Sequence, residues 1–454
     1  MNFRQLFSTL FPFLLVGCLG VHSEQKLISL PQDPLVQVYF NHTESSQYQE
    51  SLRQQQRKGD DLEQQIIEAI STSKSSVDVA VQELRLPKIA QALGERQKAG
   101  VKVRVILENT YNYSLGESQP GKTAREAAKY DELRKLSDRN QDGKISVQEA
   151  QQGDALLILR NAKVPVIDDT ADGSKGSDLM HHKFIVVDDR TIIVTSANFT
   201  SSDIHGDLTN PDSTGNANNL VKIDSPELAA IFTQEFNLMW NGDRAFGLKK
   251  PFRPPQQVQV GNITIDVQFS PTSSTSPFRQ STNGLIAKTL STSSQSVDLA
   301  LFVFSDQNIA NTLEQQSLHN VKIRAVIEPD FIYRPYSEAL DMMGVSLSNK
   351  CKYEANNHPW LQPITTVGVP QLFKGDLLHH KFAVIDKSTV ITGSHNWSES
   401  ANTSNDENLL VIHSLTVAAH YQQEFERLYS NAQLGVSERL QQKIQKAQKQ
   451  CVKG

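Results

Sequence analysis

The chain has 454 residues, 21% of them charged and 38% hydrophobic, and a formal net charge of −5. That composition is ordinary for a folded protein of two or three domains. A sequence pI near 6.2 gives no global basic field of the kind that marks a dedicated nucleic-acid binder.

Residues 1–17 read as an export signal outside the fold. Arg4 is followed by the apolar run LFSTLFPFLLVG, too short to span a membrane. The run ends in Leu15-Val16-Gly17-Cys18, which resembles a bacterial lipobox. The resemblance implies lipidation of Cys18, a linker over 18–34, and an anchor in the cell envelope that holds the protein on a membrane without spanning it. A plain secretory signal is the alternative. With Cys18 acylated, only Cys351 and Cys451 remain. An oxidising compartment makes a disulfide between them possible, and sequence leaves the pairing open.

Past the linker the chain says one thing twice. VQVYF from Val36 answers IDVQF from Ile265, and VDVAV from Val77 answers VDLAL from Val297. The offset of 220 holds from Val77 to Glu108, which meets Glu328. Before VDVAV, residues 61–71 place Leu62, Ile66, Ile67 and Ile70 on one helical face. Strand, helix, strand, helix, strand is a βαβ rhythm, which predicts an α/β fold with mostly parallel sheets. The predicted layout is a first unit at 35–248, a Pro-rich connector at 249–262, a second unit at 263–430 and a tail helix at 431–454.

The strongest repeat follows. LMHHKFIVVDDRTIIVTSANF and LLHHKFAVIDKSTVITGSHNW superimpose without a gap. They align His181, Lys183, Asp188, Ser196 and Asn198 with His379, Lys381, Asp386, Ser394 and Asn396. Alternation along a strand puts His181 and Lys183 on one face, and Ser196 and Asn198 on one face of the returning strand. Asp188 has the wrong parity and belongs at the strand end, bracing the turn DDRT. Two such patches facing each other gather two imidazoles, two ammonium groups and two amides, a set suited to a phosphodiester anion. One imidazole can attack while the other donates a proton. No carboxylate cluster with metal spacing accompanies them, so no catalytic metal is expected.

These paired motifs resemble the HKD signature of the phospholipase D superfamily, over nearly the whole mature chain. The resemblance implies two α/β/α units packed as a pseudo-twofold dimer around one active site, and a covalent phosphohistidine intermediate. It implies His181 as nucleophile and His379 as proton donor, an assignment the pattern alone could reverse. Lys183, Lys381, Asn198 and Asn396 would hold the phosphate, supported by Ser196 and Ser394, with Asp188 and Asp386 completing the motifs. The chain departs from the family at Thr195, where Gly393 stands in the second copy. It departs again at Asn218, aligned with Glu407, the family's acid downstream of the motif; Asp203 or Asp207 could substitute there. Trp397, next to Asn396, could wall the pocket.

The signature histidines lie 198 apart, so the first copy carries 22 extra residues between Glu108 and His181. In that interval, in an insertion at about 124–153, DRNQDGKISVQE matches an EF-hand-like loop. It offers Asp138, Asn140, Asp142, the Lys144 carbonyl, Ser146 and Glu149 to Ca²⁺, in a structural or regulatory role. A second, Gly/Asp/Ser/Thr-rich insertion follows Asn198 and predicts a loop at the rim of the site. The function expected is a monomeric, membrane-anchored phosphodiesterase acting on phospholipid. A nuclease of the same superfamily, and a non-catalytic calcium-stabilised binding protein, are the alternatives.

Overall fold

A computed structural model describes residues 29–117, 123–241 and 244–452, so the segment read as an export signal and Cys18 lie outside the described residues. The first half builds one sheet from β1 (Val36–Phe40), β2 (Ser76–Val81), β3 (Lys102–Leu107), β4 (Val166–Asp168), β5 (Lys183–Val187), β6 (Thr191–Thr195) and β7 (Asn219–Asp224). Their order is β1-β7-β6-β5-β2-β3-β4. The second half repeats it with β8 (Gln256–Val260), β9 (Ile263–Ser270), β10 (Ser296–Leu301), β11 (Lys322–Ile327), β12 (Val367–Val369), β13 (Lys381–Ile385), β14 (Thr389–Gly393), β15 (Glu407–His413) and β16 (Gln433–Leu434). That order is β8-β9-β15-β14-β13-β10-β11-β12-β16.

The expectation of mostly parallel sheets is corrected. Only β2–β3–β4 and β10–β11–β12 run parallel, and every other neighbouring pair is antiparallel. Helix α1 (Leu62–Ser71), capped by Asp61, precedes β2, and α2 (Pro87–Lys98) makes the crossover that a parallel β2–β3 pair needs. The signature strands β5 and β6 are instead joined by a three-residue turn, which permits only a hairpin. The predicted connector is also shortened, because residues 256–260 pair with β9 as an edge strand of the second sheet.

The insertion forms α3 (Ala124–Ser137) and α4 (Val147–Gly153) around the loop between them. The rim loop opens with the single turn α5 (Ser201–Ile204). Two long helices, α6 (Pro226–Trp240) and α7 (Leu415–Tyr429), carry the core shared by the halves. Phe232 of α6 meets Phe184 of its own half and Phe269 of the other, edge to face. Tyr421 of α7 meets Phe382 of its own half and Phe40 of the other. Such pairs add about 0.5–1.5 kcal/mol each beyond burial alone, so the interface is an apolar core with pseudo-twofold symmetry.

Repeated ion pairs mark the same symmetry. Arg104 forks onto Asp78 at 2.7 and 2.6 Å, and Arg324 onto Asp298 at 2.7 and 2.8 Å. This explains a charged residue inside otherwise apolar strands: each carboxylate is buried against its neighbour's guanidinium. The tail helix α8 (Glu438–Val452) buries Leu440 against the second core, and Cys451 is disulfide-bonded to Cys351.

Candidate active site

Strands β5 and β13 begin where β2 and β10 end, which brings the two signatures to the seam between the halves. Main-chain hydrogen bonds cross that seam in both directions. His181 N–H donates to Asp406 O at 3.0 Å, and His379 N–H donates to Ala217 O at 3.1 Å. Both histidines and both lysines are buried there.

The second halves of the signatures are exchanged between units. His181 Nδ1 lies 2.7 Å from Glu407 of the second half, and Ser394 Oγ donates to the same carboxylate oxygen at 2.6 Å. His379 Nδ1 lies 3.0 Å from Asn218 Oδ1 of the first half, to which Ser196 Oγ donates at 2.7 Å. Each serine thus fixes the group that orients the histidine of the other unit. The carboxylate stands behind His181 and the neutral amide behind His379.

Burial and then the nearby lysine charges hold both imidazoles well below their ordinary value. Burial likewise brings Lys183 down to about 8 and Lys381 well down, and pushes Glu407 up. Lys183 donates to Gln82 at 3.2 Å and to His181 O at 3.0 Å. At the matching place Lys381 donates to His379 O and sits over the Phe302 ring, 5.1 Å from its centroid. Phe302 also meets the His379 ring edge to face at 4.8 Å. Asn198 Oδ1 and Asn396 Oδ1 are buried with no protein donor.

Not every motif residue reaches this cluster. Asp188 and Asp386 sit at the opposite ends of β5 and β13, at φ of 55° and 48°. A short polar side chain tolerates that left-handed turn. Asp188 accepts from the backbone N–H groups of Lys74, Ser75 and Ser76, and Asp386 from those of Ser294, Gln295 and Ser296. Their inclusion among the catalytic candidates is therefore corrected to a loop brace, as strand parity indicated. Asp188→Ala is expected to cost about 1–3 kcal/mol of stability while leaving turnover per folded molecule unchanged. Denaturant unfolding beside an activity assay checks both.

Asp207 is spent on Thr209, whose N–H and hydroxyl both donate to it at 2.7 Å. Asp203 instead lies 3.8 Å from His379 Nδ1. Trp397 is wholly buried in the second core against Phe304, so it does not wall the pocket. Gly393 takes φ +140°, and a Cβ there would meet Asn408 O at 2.4 Å. Thr195 turns its hydroxyl to Asn219 O at 2.6 Å instead.

Two carboxylates were missed. Glu108 accepts from Met180 N–H and Glu328 from Leu378 N–H, each at 2.7 Å, one residue before the catalytic-candidate histidines. Burial, with Asp169 beside Glu108, pushes both up to about 7. Their signal lay in the repeat, where they served only as register marks. The second histidine of each pair turns away, His182 to Glu235 at 3.4 Å and His380 to Glu424 at 2.8 Å.

The insertion loop has Gly143 at φ +78°, and Asp138 Oδ1 is buried with no hydrogen-bond partner. Glu149 accepts from Asn140 N–H, Ser146 N–H and Ser146 Oγ, while Lys144 N–H donates to Asp142. Among the described residues no three His, Cys, Asp or Glu side chains converge as a metal-ligand group. Nor is any described helix long and apolar enough to cross a membrane.

Comparison with known proteins gives the lineage. The family described as "Cardiolipin synthase, PLD-like domain" matches residues 66–240 and 286–429. The chain is 28% identical over 186 residues to the mitochondrial cardiolipin hydrolase of Xenopus laevis, covering 40% of this chain and 78% of that one. The match to the Xenopus tropicalis protein of the same name spans 55% of its length. Phospholipase D of Rickettsia bellii is 24% identical over 178 residues, 38% of this chain and 75% of the relative. The solved structure of phosphatidylserine synthase from Haemophilus influenzae Rd KW20 covers 93% of each chain with a TM-score of 0.54 at 12% identity, a likeness of fold. With both halves matched and a histidine–lysine pair in each, the chain belongs to the cardiolipin synthase, PLD-like domain family and is an enzyme of the phosphodiesterase type.

Proposed function

We propose that the chain is an exported, membrane-anchored phosphodiesterase that cleaves phospholipid head groups through a phosphohistidine intermediate. The observation that carries this reading is the exchange across the seam, Glu407 behind His181 and Asn218 behind His379. Neutral His181, its Nδ1–H held by Glu407, attacks phosphorus through Nε2. The ring becomes a phosphorylated cation that lasts as long as the intermediate, so a carboxylate at 2.7 Å is best used there. His379 gives its proton to the departing alcohol oxygen, then takes one from the water that cleaves the phosphorus–nitrogen bond. Lys183, Lys381 and the two asparagines stabilise the charge on the phosphoryl oxygens. Burial and then the lysine charges depress His379, and a phosphodiester anion between the lysines offsets the second of these, which favours the proton on that ring. Both histidines come from one chain, so a monomer suffices.

Calcium is the second part of the reading. A helix–loop–helix with a left-handed glycine at its sixth position, and a buried Asp138 oxygen without a donor, fits a cation. Asp138, Asn140, Asp142, Ser146, Glu149 and the Lys144 carbonyl would hold it, away from the chemistry. Lipidation of Cys18 would keep the enzyme beside its substrate.

The test is to incubate the full chain with cardiolipin, with phosphatidylcholine and with single-stranded DNA, with and without EDTA. Head-group release from lipid is expected, with EDTA lowering the melting temperature but not abolishing turnover. Cleavage of DNA in place of lipid would overturn the lipid reading. Loss of activity in EDTA at unchanged melting temperature would overturn the structural role of Ca²⁺.

A further inference from the structure

Asn218 leaves His379 without the direct carboxylate that His181 has. A negative charge nonetheless stands beside it, from outside the signature. Asp203, in α5 of the rim loop, is buried, with Oδ1 3.8 Å from His379 Nδ1. Both of its carboxylate oxygens also bond residues of the two signatures or their flanks. Oδ2 accepts from Asn198 N–H at 2.7 Å, and Oδ1 accepts from Asn216 Nδ2 at 2.6 Å. Asn216 Oδ1 in turn accepts from Leu377 N–H at 2.8 Å, two residues before His379. The Asp203 carbonyl takes a hydrogen bond from Asn218 Nδ2 at 2.9 Å.

The insertion braces the same turn at the residue before Asp203, where Glu132 of α3 accepts from Ser202 N–H at 3.2 Å. On the same helix, Lys135 donates to Leu208 O at 3.2 Å, and Lys129 pairs with Glu83 at 3.0 Å. The helix before the calcium-type loop therefore rests on the segment that approaches His379.

We infer that Asp203 is a positioning residue that supplies His379 with the negative charge Asn218 lacks, and that α3 holds it there through Glu132. The inference rests on the reading of His379 as proton donor. The charged and titratable groups facing His379 are Lys381, Lys183, His181 and His380, all of which oppose its protonation, and Asp203, which favours it. An opposite charge at this distance raises an imidazole without a direct hydrogen bond. Asn218 meanwhile fixes the ring. The two functions that Glu407 combines for His181 are divided for His379 between an amide and a carboxylate.

The test is the pH profile of kcat for phosphodiester hydrolysis by the full chain, beside the His379 imidazole pKa followed by NMR. Asp203→Asn is expected to bring the alkaline limb down by about one pH unit, with KM little changed and the NMR pKa falling with it. Glu132→Ala should shift both the same way by less, and Glu132→Gln, which keeps the acceptor, should restore them. Adding Asn218→Glu to Asp203→Asn should bring the limb back up. A uniform loss of rate with limb and NMR pKa unmoved overturns the inference. If the wild-type chain hydrolyses no phosphodiester, the reading of function fails, while the NMR titration still decides whether Asp203 raises His379.

Discussion

Replacing His181 or His379 by alanine is expected to remove at least ~10⁴ of the turnover rate on a phospholipid, since two residues acting as one unit fail together. The two losses differ in kind. A phosphodiester whose leaving group departs without a proton bypasses the donor but not the nucleophile. With such a substrate His379→Ala should release one equivalent in a burst and then stall, because nothing activates water against the phosphorylated His181. His181→Ala should give no burst. Stopped-flow detection of the released group reads both. Equal, burst-free loss in the two variants would show that the roles are not divided between the halves as proposed.

Glu407→Gln is expected to lower kcat by about 10²- to 10³-fold, far more than Asn218→Ala, though the two residues occupy the same place in the repeat. Gln keeps an acceptor for His181 and Ser394, so the fold should stand. What it removes is the charge that stabilises a phosphorylated imidazolium. Asn218 orients His379 as a neutral group, so its loss costs alignment and the buried bonds to Ser196 and Asp203 but no charge. Steady-state rates with melting temperatures separate the two effects, and the proposed order of severity is reversed if Asn218→Ala is the worse variant.

Much of this site was legible in the sequence, for reasons that can be named. The constant offset of 220 located two units, and the identical spacing of histidine, lysine, serine and asparagine located their shared chemistry. Period-two parity placed Asp188 away from His181, and the structure confirms that separation through the backbone donors of residues 74–76. Other features have no local signal. The βαβ rhythm reads α2 correctly but says nothing of the antiparallel partners β2 and β10 acquire from the signature hairpins. Alignment shows that Asn218 and Glu407 correspond, yet only the packing of the halves shows that each serves the other half's histidine. The partner of Cys351 lies 100 residues away, a spacing that carries no geometry. Asp203 aligns with Ala401, in a helical turn capped alike by Thr200 and Ser398, so the repeat carries no matching acid to single it out.

The most direct test of the account is to stop the full chain during turnover of a phospholipid by alkaline quench, which preserves phosphorus–nitrogen bonds, and to map the modified peptide by mass spectrometry. The account predicts a phosphatidyl group on His181, accumulating further in His379→Ala and absent from His181→Ala. A group found on His379, or on neither histidine while substrate is consumed, would contradict it.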